Sequence, residues 1–126
     1  MKSIKAERIR IKIGDIWESP ELHVLLTQEN DVVVARCLNF TVSSHSADVQ
    51  DALNSLAGSV KEYILTAIEN DAIHTIYDSA HSKYWRMFNE QETKHSVGKM
   101  KRSLRKSLRS ISYKNMERLP AEISYA

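Results

Sequence analysis

The stretch LHVLLTQENDVVVARCLNFTVSSHSADVQDALNSLAGSVKEYILTAIEN, residues 22–70, decides the fold. From Asp48 onward its apolar residues fall at steps of three and four. Val49, Ala52, Leu53, Leu56, Val60, Ile64, Ala67 and Ile68 lay one stripe along about six helical turns. Asp48 is a good N-cap, Asp51 sets a negative charge against the positive end of the helix dipole, and Asn70-Asp71 supplies a stop. Gly58 costs about 0.8–1.0 kcal/mol relative to Ala in an exposed helix interior. It lies off the stripe, and close approach of another segment would account for it.

Ahead of the helix the period is two. Leu22, Val24 and Leu26 share one face of a strand over 21–28, with His23, Leu25 and Thr27 on the other. Glu29-Asn30-Asp31 carries short polar residues that tolerate a turn, and the β-branched run over 32–38 comes at once after it, so the two strands form a hairpin. A further short strand is expected over 40–43. Toward the start of the chain, Ile9, Ile11 and Ile13 alternate with Arg8, Arg10 and Lys12, which predicts a strand over 7–13.

Toward the end, Tyr84, Trp85 and Phe88 stand at helical spacing. They predict a helix over 79–89 with an aromatic ridge for the core or for a subunit contact. A separate helix over 95–111 gathers Val97, Met100, Leu104, Leu108 and Ile111 into a narrow arc. Lys99, Lys101, Arg102, Arg105, Lys106 and Arg109 spread over the opposite side, and Ser103, Ser107 and Ser110 form a third face. Pro120 and the residues after it read as a terminal tail. The expected fold is α+β: a short antiparallel sheet of three to four strands packed against one long helix, with additional C-terminal helices. It divides into a sheet-helix domain, 1–78, and a helical extension, 79–126.

Charge is distributed unevenly. Residues 1–12 sum to +4, residues 13–93 to −9 and residues 94–118 to +8, while the whole chain carries only +2. Fields act over a Debye length of about 10 Å, so the basic block attracts polyanions or an acidic protein surface despite the small total. The alternative is that it pairs with the acidic middle of its own chain or of a second subunit.

The familiar chemistries lack their residues. No run approaches the ~20 apolar residues of a membrane span, and charges interrupt the start where a signal peptide would be continuously apolar, so a cytoplasmic location is expected. In that location the sequon Asn39-Phe40-Thr41 is not glycosylated. Cys37 is the single cysteine and has no partner for an internal disulfide. On a strand it serves as a small apolar filler. The five histidines never pair at i and i+4, no clustered carboxylates join them, and no metal site is expected. A metal-dependent nuclease would need carboxylates converging from neighbouring strands, and none stands mid-strand. Nucleophile elbows and glycine-rich phosphate loops are missing too. Neither an enzyme nor a cofactor is expected.

Val34-Ala35, Leu38, Val42, Ser44, then Asp48-Val49-Gln50-Asp51-Ala52-Leu53, Leu56, Val60 and Tyr63-Ile64, with spacing unbroken from Ser44 onward, form a pattern by which residues 22–70 resemble the HicB-like antitoxin family. Asp48 stands where the family has its Thr cap, and Gln50-Asp51 where it has paired acids. Departures are Ser46 for the usual glycine, Gly58-Ser59 for Glu-Ala, and a missing proline-glycine loop before the third strand. The resemblance implies a partial ribonuclease-H-like unit that is not a nuclease. Family members neutralise a small RNA-cleaving HicA toxin, and many bind DNA through a C-terminal ribbon-helix-helix or helix-turn-helix. Neither pattern is visible in the C-terminal residues here.

The expectation is therefore a HicB-like antitoxin or a solitary HicB-like regulator that acts by binding, as a homodimer or larger assembly. Lys99, Lys101, Arg102, Arg105, Lys106 and Arg109 are its candidate contacts to an acidic partner or to DNA or RNA. The alternative is a nucleic-acid-binding regulator with no HicA-like toxin partner. An anionic membrane surface is a third target for such a helix, although its apolar arc carries no Trp or Phe.

Overall fold

The computed structural model describes residues 1–125. Its elements run β1 (Lys2–Ile9), β2 (Lys12–Ile13), β3 (Trp17–Glu18), β4 (Leu22–Glu29), β5 (Val32–Cys37), β6 (Val42–Ser46), α1 (Val49–Glu69), α2 (Ser82–Ser110) and α3 (Tyr113–Arg118), with one 3₁₀ turn at Ile73–Thr75. Four strands form an antiparallel sheet in the order β1-β4-β5-β6, and β2 and β3 form a separate two-stranded ribbon. The class is α+β, as the residue pattern predicts.

The two faces of β4 explain the layers. Leu22, Val24 and Leu26 join Val33, Ala35 and Cys37 on one face of the sheet, where Ala52, Leu56, Val60 and Ile64 of α1 cover them. Leu25 points the other way and packs with Leu38 and Phe88. An interior strand buried on both faces needs the near-continuous apolar run that 22–26 supplies. Thr27, fully buried, is satisfied by Arg36, whose Nη1 donates to its Oγ1 at 2.8 Å.

The ends of α1 are set as its residues suggest. The Asp48 side chain accepts a hydrogen bond from the Asp51 N–H at 2.8 Å, an N-cap worth about 1 kcal/mol. Burial keeps the 3.6-residue period through Ile64 and then stops, for Ile68 is 58% exposed. A Cβ added at Gly58 would meet nothing within 4 Å, so no segment approaches it closely.

Three local expectations are corrected. The strand placed over 7–13 is two elements: β1 ends at Ile9 and β2 begins at Lys12. Between them Ile11 is buried, its N–H donating to Ser19 Oγ at 2.9 Å and its carbonyl accepting from the Ser19 N–H at 2.8 Å. The alternation of isoleucines survives across the break, which is why it reads as one strand. The strand placed over 40–43 starts later, at Val42, because Thr41 takes a positive φ of 54° in the preceding turn.

The third correction is larger. The helices placed over 79–89 and 95–111 are one helix, α2. The apolar pattern lapses between them, but Glu90-Gln91-Glu92-Thr93-Lys94 contains neither glycine nor proline, and good helix formers carry the backbone through. A short α3 comes next, capped by Ser112, in a stretch for which the sequence pattern predicts no element.

The chain forms two compact units, Met1–Glu92 and Thr93–Ala126. In the first, the opening turns of α2 lie against the sheet through Phe88, with the His23 ring edge-on at 5.3 Å, and the Arg8 guanidinium grips Glu92 at 2.6 and 2.7 Å. Of the aromatic ridge, Phe88 is thus core of this unit, and Tyr84 and Trp85, partly buried, pack against that core. The second unit holds the rest of α2 and α3. No helix among the described residues is long and apolar enough to cross a membrane.

Candidate functional site

Lys99, Lys101, Arg102, Arg105, Lys106 and Arg109 all lie on α2 within the second unit, and all are exposed. At 100° per residue they occupy an arc of about 160°, bounded by Lys101 and Lys99, and Lys94 and His95 fall inside it. From Lys99 to Arg109 the axial rise is about 15 Å. Among the described residues none of the six makes an ion pair. Ion pairs among the described residues join Lys5 to Glu7, Arg8 to Glu21 and Glu92, and Arg36 to Glu29, all in the first unit. Arg109, in the last turn, also sits at the negative end of the helix dipole.

An opposite arc of about 80° carries Val97, Met100, Leu104, Leu108 and Ile111. Its exposure is high for apolar residues: 65% at Met100, 46% at Val97, 42% at Leu108 and 39% at Leu104. The cationic face and this stripe are separate surfaces of the same helix.

The first unit holds a feature that residue patterns did not suggest. A groove of about 620 Å³ opens at the C-terminal end of α1. One wall is Ile64, Leu65 and Ile68 of α1, and the other is Ile13, Ile16 and Trp17 of the β2–β3 ribbon. Phe40, Ile73, Ile76 and Tyr77 complete the lining, so no charged residue faces it. The Phe40 ring lies 5.5 Å from Tyr63 and 5.4 Å from Tyr77. Ile16 is 90% and Tyr77 63% exposed, far from what a core position would tolerate. In sequence, Asp15, Glu18, Glu69 and Asp78 adjoin lining residues, and so does Lys12; Lys12, Asp15 and Glu18 line a separate cavity beside the ribbon. Lys61, the next cation, is one turn before Leu65 on α1. The available signal was the isoleucine run of 64–77, which outlasts the helix stripe and has no strand opposite it.

Shifted titrations in the first unit are structural. Burial pushes the Cys37 thiol up, which keeps it a neutral thiol beneath α1. Burial also raises the Tyr63 phenol, helped by the Asp78 charge, while its hydroxyl donates to the Ile76 carbonyl at 2.7 Å. Burial pushes the Glu29 carboxyl up, but hydrogen bonding and charge from Arg36 outweigh that and hold it below the usual range. Arg36 in turn stacks over the Tyr84 ring at 4.6 Å. Among the described residues no three His, Cys, Asp or Glu side chains gather closely enough to hold a metal ion. The described residues thus present three surfaces: a cationic face and an apolar stripe on α2, and an apolar groove in the first unit.

No protein-family model, curated protein or solved structure matches this chain.

Proposed function

We propose that this chain acts by binding, as a HicB-like regulatory protein whose cationic face on α2 engages nucleic acid. The observation that carries the reading is the set of six exposed cations, Lys99, Lys101, Arg102, Arg105, Lys106 and Arg109, none in an ion pair among the described residues. Cations left in water by their own fold are available to phosphates. Each phosphate they neutralise releases condensed counterions, so log K falls by about 0.9 per contact against log salt for duplex DNA. An α-helix fits the major groove, which is about 12 Å wide.

Such binding positions more than it specifies. The cationic face carries no Asn or Gln to read adenine, and only its arginines offer a bidentate fork to guanine. Recognition is therefore largely indifferent to sequence. The reading is tested by titrating a labelled duplex, a single-stranded RNA of equal length and anionic vesicles at about 50 and 200 mM salt. Binding to nucleic acid that weakens steeply with salt supports it. No binding at the lower salt refutes it, and preference for vesicles transfers the face to membranes.

A HicA-like toxin partner is a second reading. It is favoured by the element order over 22–70, strand, hairpin turn, strand, short strand and long capped helix, which is the order the resemblance implies. Copurification of a small basic protein encoded beside this chain would support it. Absence of any such gene neighbour would leave the solitary regulator.

A further inference from the structure

Arginine and lysine are sorted on the cationic face of α2. Projected at 100° per residue, Arg109 falls at the middle of the arc, with Arg102 about 20° to one side and Arg105 about 40° to the other. The lysines lie outside them. Lys106 and Lys99 stand about 60° and 80° from the middle on the Arg102 side, and Lys94 and Lys101 stand about 60° and 80° from it on the Arg105 side. Within each pair the two ammonium-bearing residues are about 10 Å apart along the axis. Gly98 lies about 20° from the middle. A Cβ built on it would meet Arg102 Nη1 at 3.4 Å, so this guanidinium lies over the centre of the face and not toward an edge. From Thr93 to Ser110 the helix contains no Asp or Glu that would repel phosphate.

We infer that this sorting reads guanine in the major groove of B-form duplex DNA, an inference that rests on the nucleic-acid reading of the face. Arg102, Arg105 and Arg109 face the base edges, and the two lysine rows hold the phosphates of the two groove walls. The chemistry of each cation suits its position. A guanidinium is a planar fork that meets O6 and N7 of guanine together, whereas an ammonium is a compact point charge that pairs with phosphate from any direction.

Dimensions agree with chemistry. A helix with its side chains is about 10–12 Å across and the major groove about 12 Å wide, so lysine rows about 120–160° apart reach opposite walls. The arc between them then points at the groove floor. From Arg102 to Arg109 the axial rise is about 10 Å, the height of about three base pairs. Duplex RNA offers no equivalent, because its A-form major groove is too deep and narrow for side chains to read. A charge held between two phosphate walls lies within a Debye length of both, so arginines and lysines alike contribute to the salt dependence. Phosphate contacts supply most of the affinity. A guanine met by an arginine adds roughly tenfold, which is small beside the discrimination of a dedicated sequence reader.

The test uses the full chain and four labelled duplexes of equal length at about 50 mM salt. They are a G·C-rich DNA, an all-A·T DNA, the G·C-rich DNA with 7-deazaguanine for guanine, and the G·C-rich sequence as RNA. 7-Deazaguanine keeps the base pair and the phosphates and removes the N7 acceptor. The parent should bind the guanine duplex roughly tenfold more tightly than the A·T and 7-deazaguanine duplexes, and more tightly than the RNA. Arg102→Lys with Arg109→Lys keeps the charge and loses the forks, so it should abolish the guanine preference and leave the salt slope unchanged. Lys99→Gln with Lys106→Gln should do the reverse, lowering the slope by about 1.8 and keeping the preference. Equal binding to the guanine, 7-deazaguanine and A·T duplexes overturns the inference and leaves a face that holds phosphate alone. A guanine preference that survives loss of both forks overturns it too, as does RNA bound as tightly as DNA. Failure to bind any of the four removes the nucleic-acid reading itself, and the inference with it.

Discussion

Replacing Phe88 by alanine removes the side chain that fastens the opening turns of α2 to the sheet. Phe88 is 1% exposed and packs with Leu25 and Leu38, both fully buried, with ring contacts to His23 at 5.3 Å and Trp85 at 6.2 Å. A Phe→Ala change at such a site costs about 3–5 kcal/mol, from lost transfer free energy and from the cavity left behind. The edge-to-face ring contacts, about 0.5–1.5 kcal/mol each, are part of this loss. Total stability for a domain of this size is about 5–15 kcal/mol, so the loss is a large share. With a slope of about 1.5 kcal/mol per M urea, the midpoint falls by about 2–3 M. Urea titration monitored by far-ultraviolet circular dichroism measures it, with Leu104→Ala as the comparison. Leu104 is 39% exposed in the second unit and should cost less than about 1 kcal/mol. If Phe88→Ala costs no more than Leu104→Ala, the second layer on the sheet is not where α2 is held, and the account of the first unit is wrong.

Individual residues carry further expectations. Gly58→Ala should stabilise the protein by about 0.5–1 kcal/mol in thermal or urea melts, because the position is helical and nothing lies within 4 Å of the added methyl. Glu29 contributes through Arg36 only while ionised. Its folded-state titration lies below the unfolded value, so its contribution is present above about pH 5 and is lost as pH falls through the lowered value. Glu29→Gln should therefore destabilise by about 1 kcal/mol at pH 7 and by almost nothing near pH 2, read from melts at both. For duplex binding, replacing Arg102 and Lys106 together by glutamine should reduce the salt slope by about 1.8, and an unchanged slope would remove these two from the interface.

Local periodicity carried most of the fold. The stripe from Val49, the two faces of β4 and the Asp48 cap each depend on neighbours two to four residues away; the faces and the cap appear at their expected positions, and the stripe does so as far as Ile64. What escaped the pattern depends on the chain elsewhere. The break between Ile9 and Lys12 is held by Ser19, eight residues beyond Ile11, and no alternation rule sees that hydrogen bond. The continuity of α2 rests on backbone propensity through 90–94, where no apolar residue marks a face. The groove is a product of tertiary placement, since Ile16 and Trp17 meet Ile68 and Tyr77 only after the ribbon and the end of α1 are in place. The cationic residues were visible because charge needs no folding to be counted.

The outer strands of the sheet carry a consequence for how this protein behaves when concentrated. The sheet ends at β1 on one side and β6 on the other. β1 bears Lys2, Lys5 and Arg8 and has an irregular register between Ser3 and Lys5, while β6 is five residues of VSSHS with little grease to offer. Charged, kinked or short borders discourage a foreign strand from adding on. Strand-to-strand aggregation is thereby disfavoured at both margins of the four-stranded sheet.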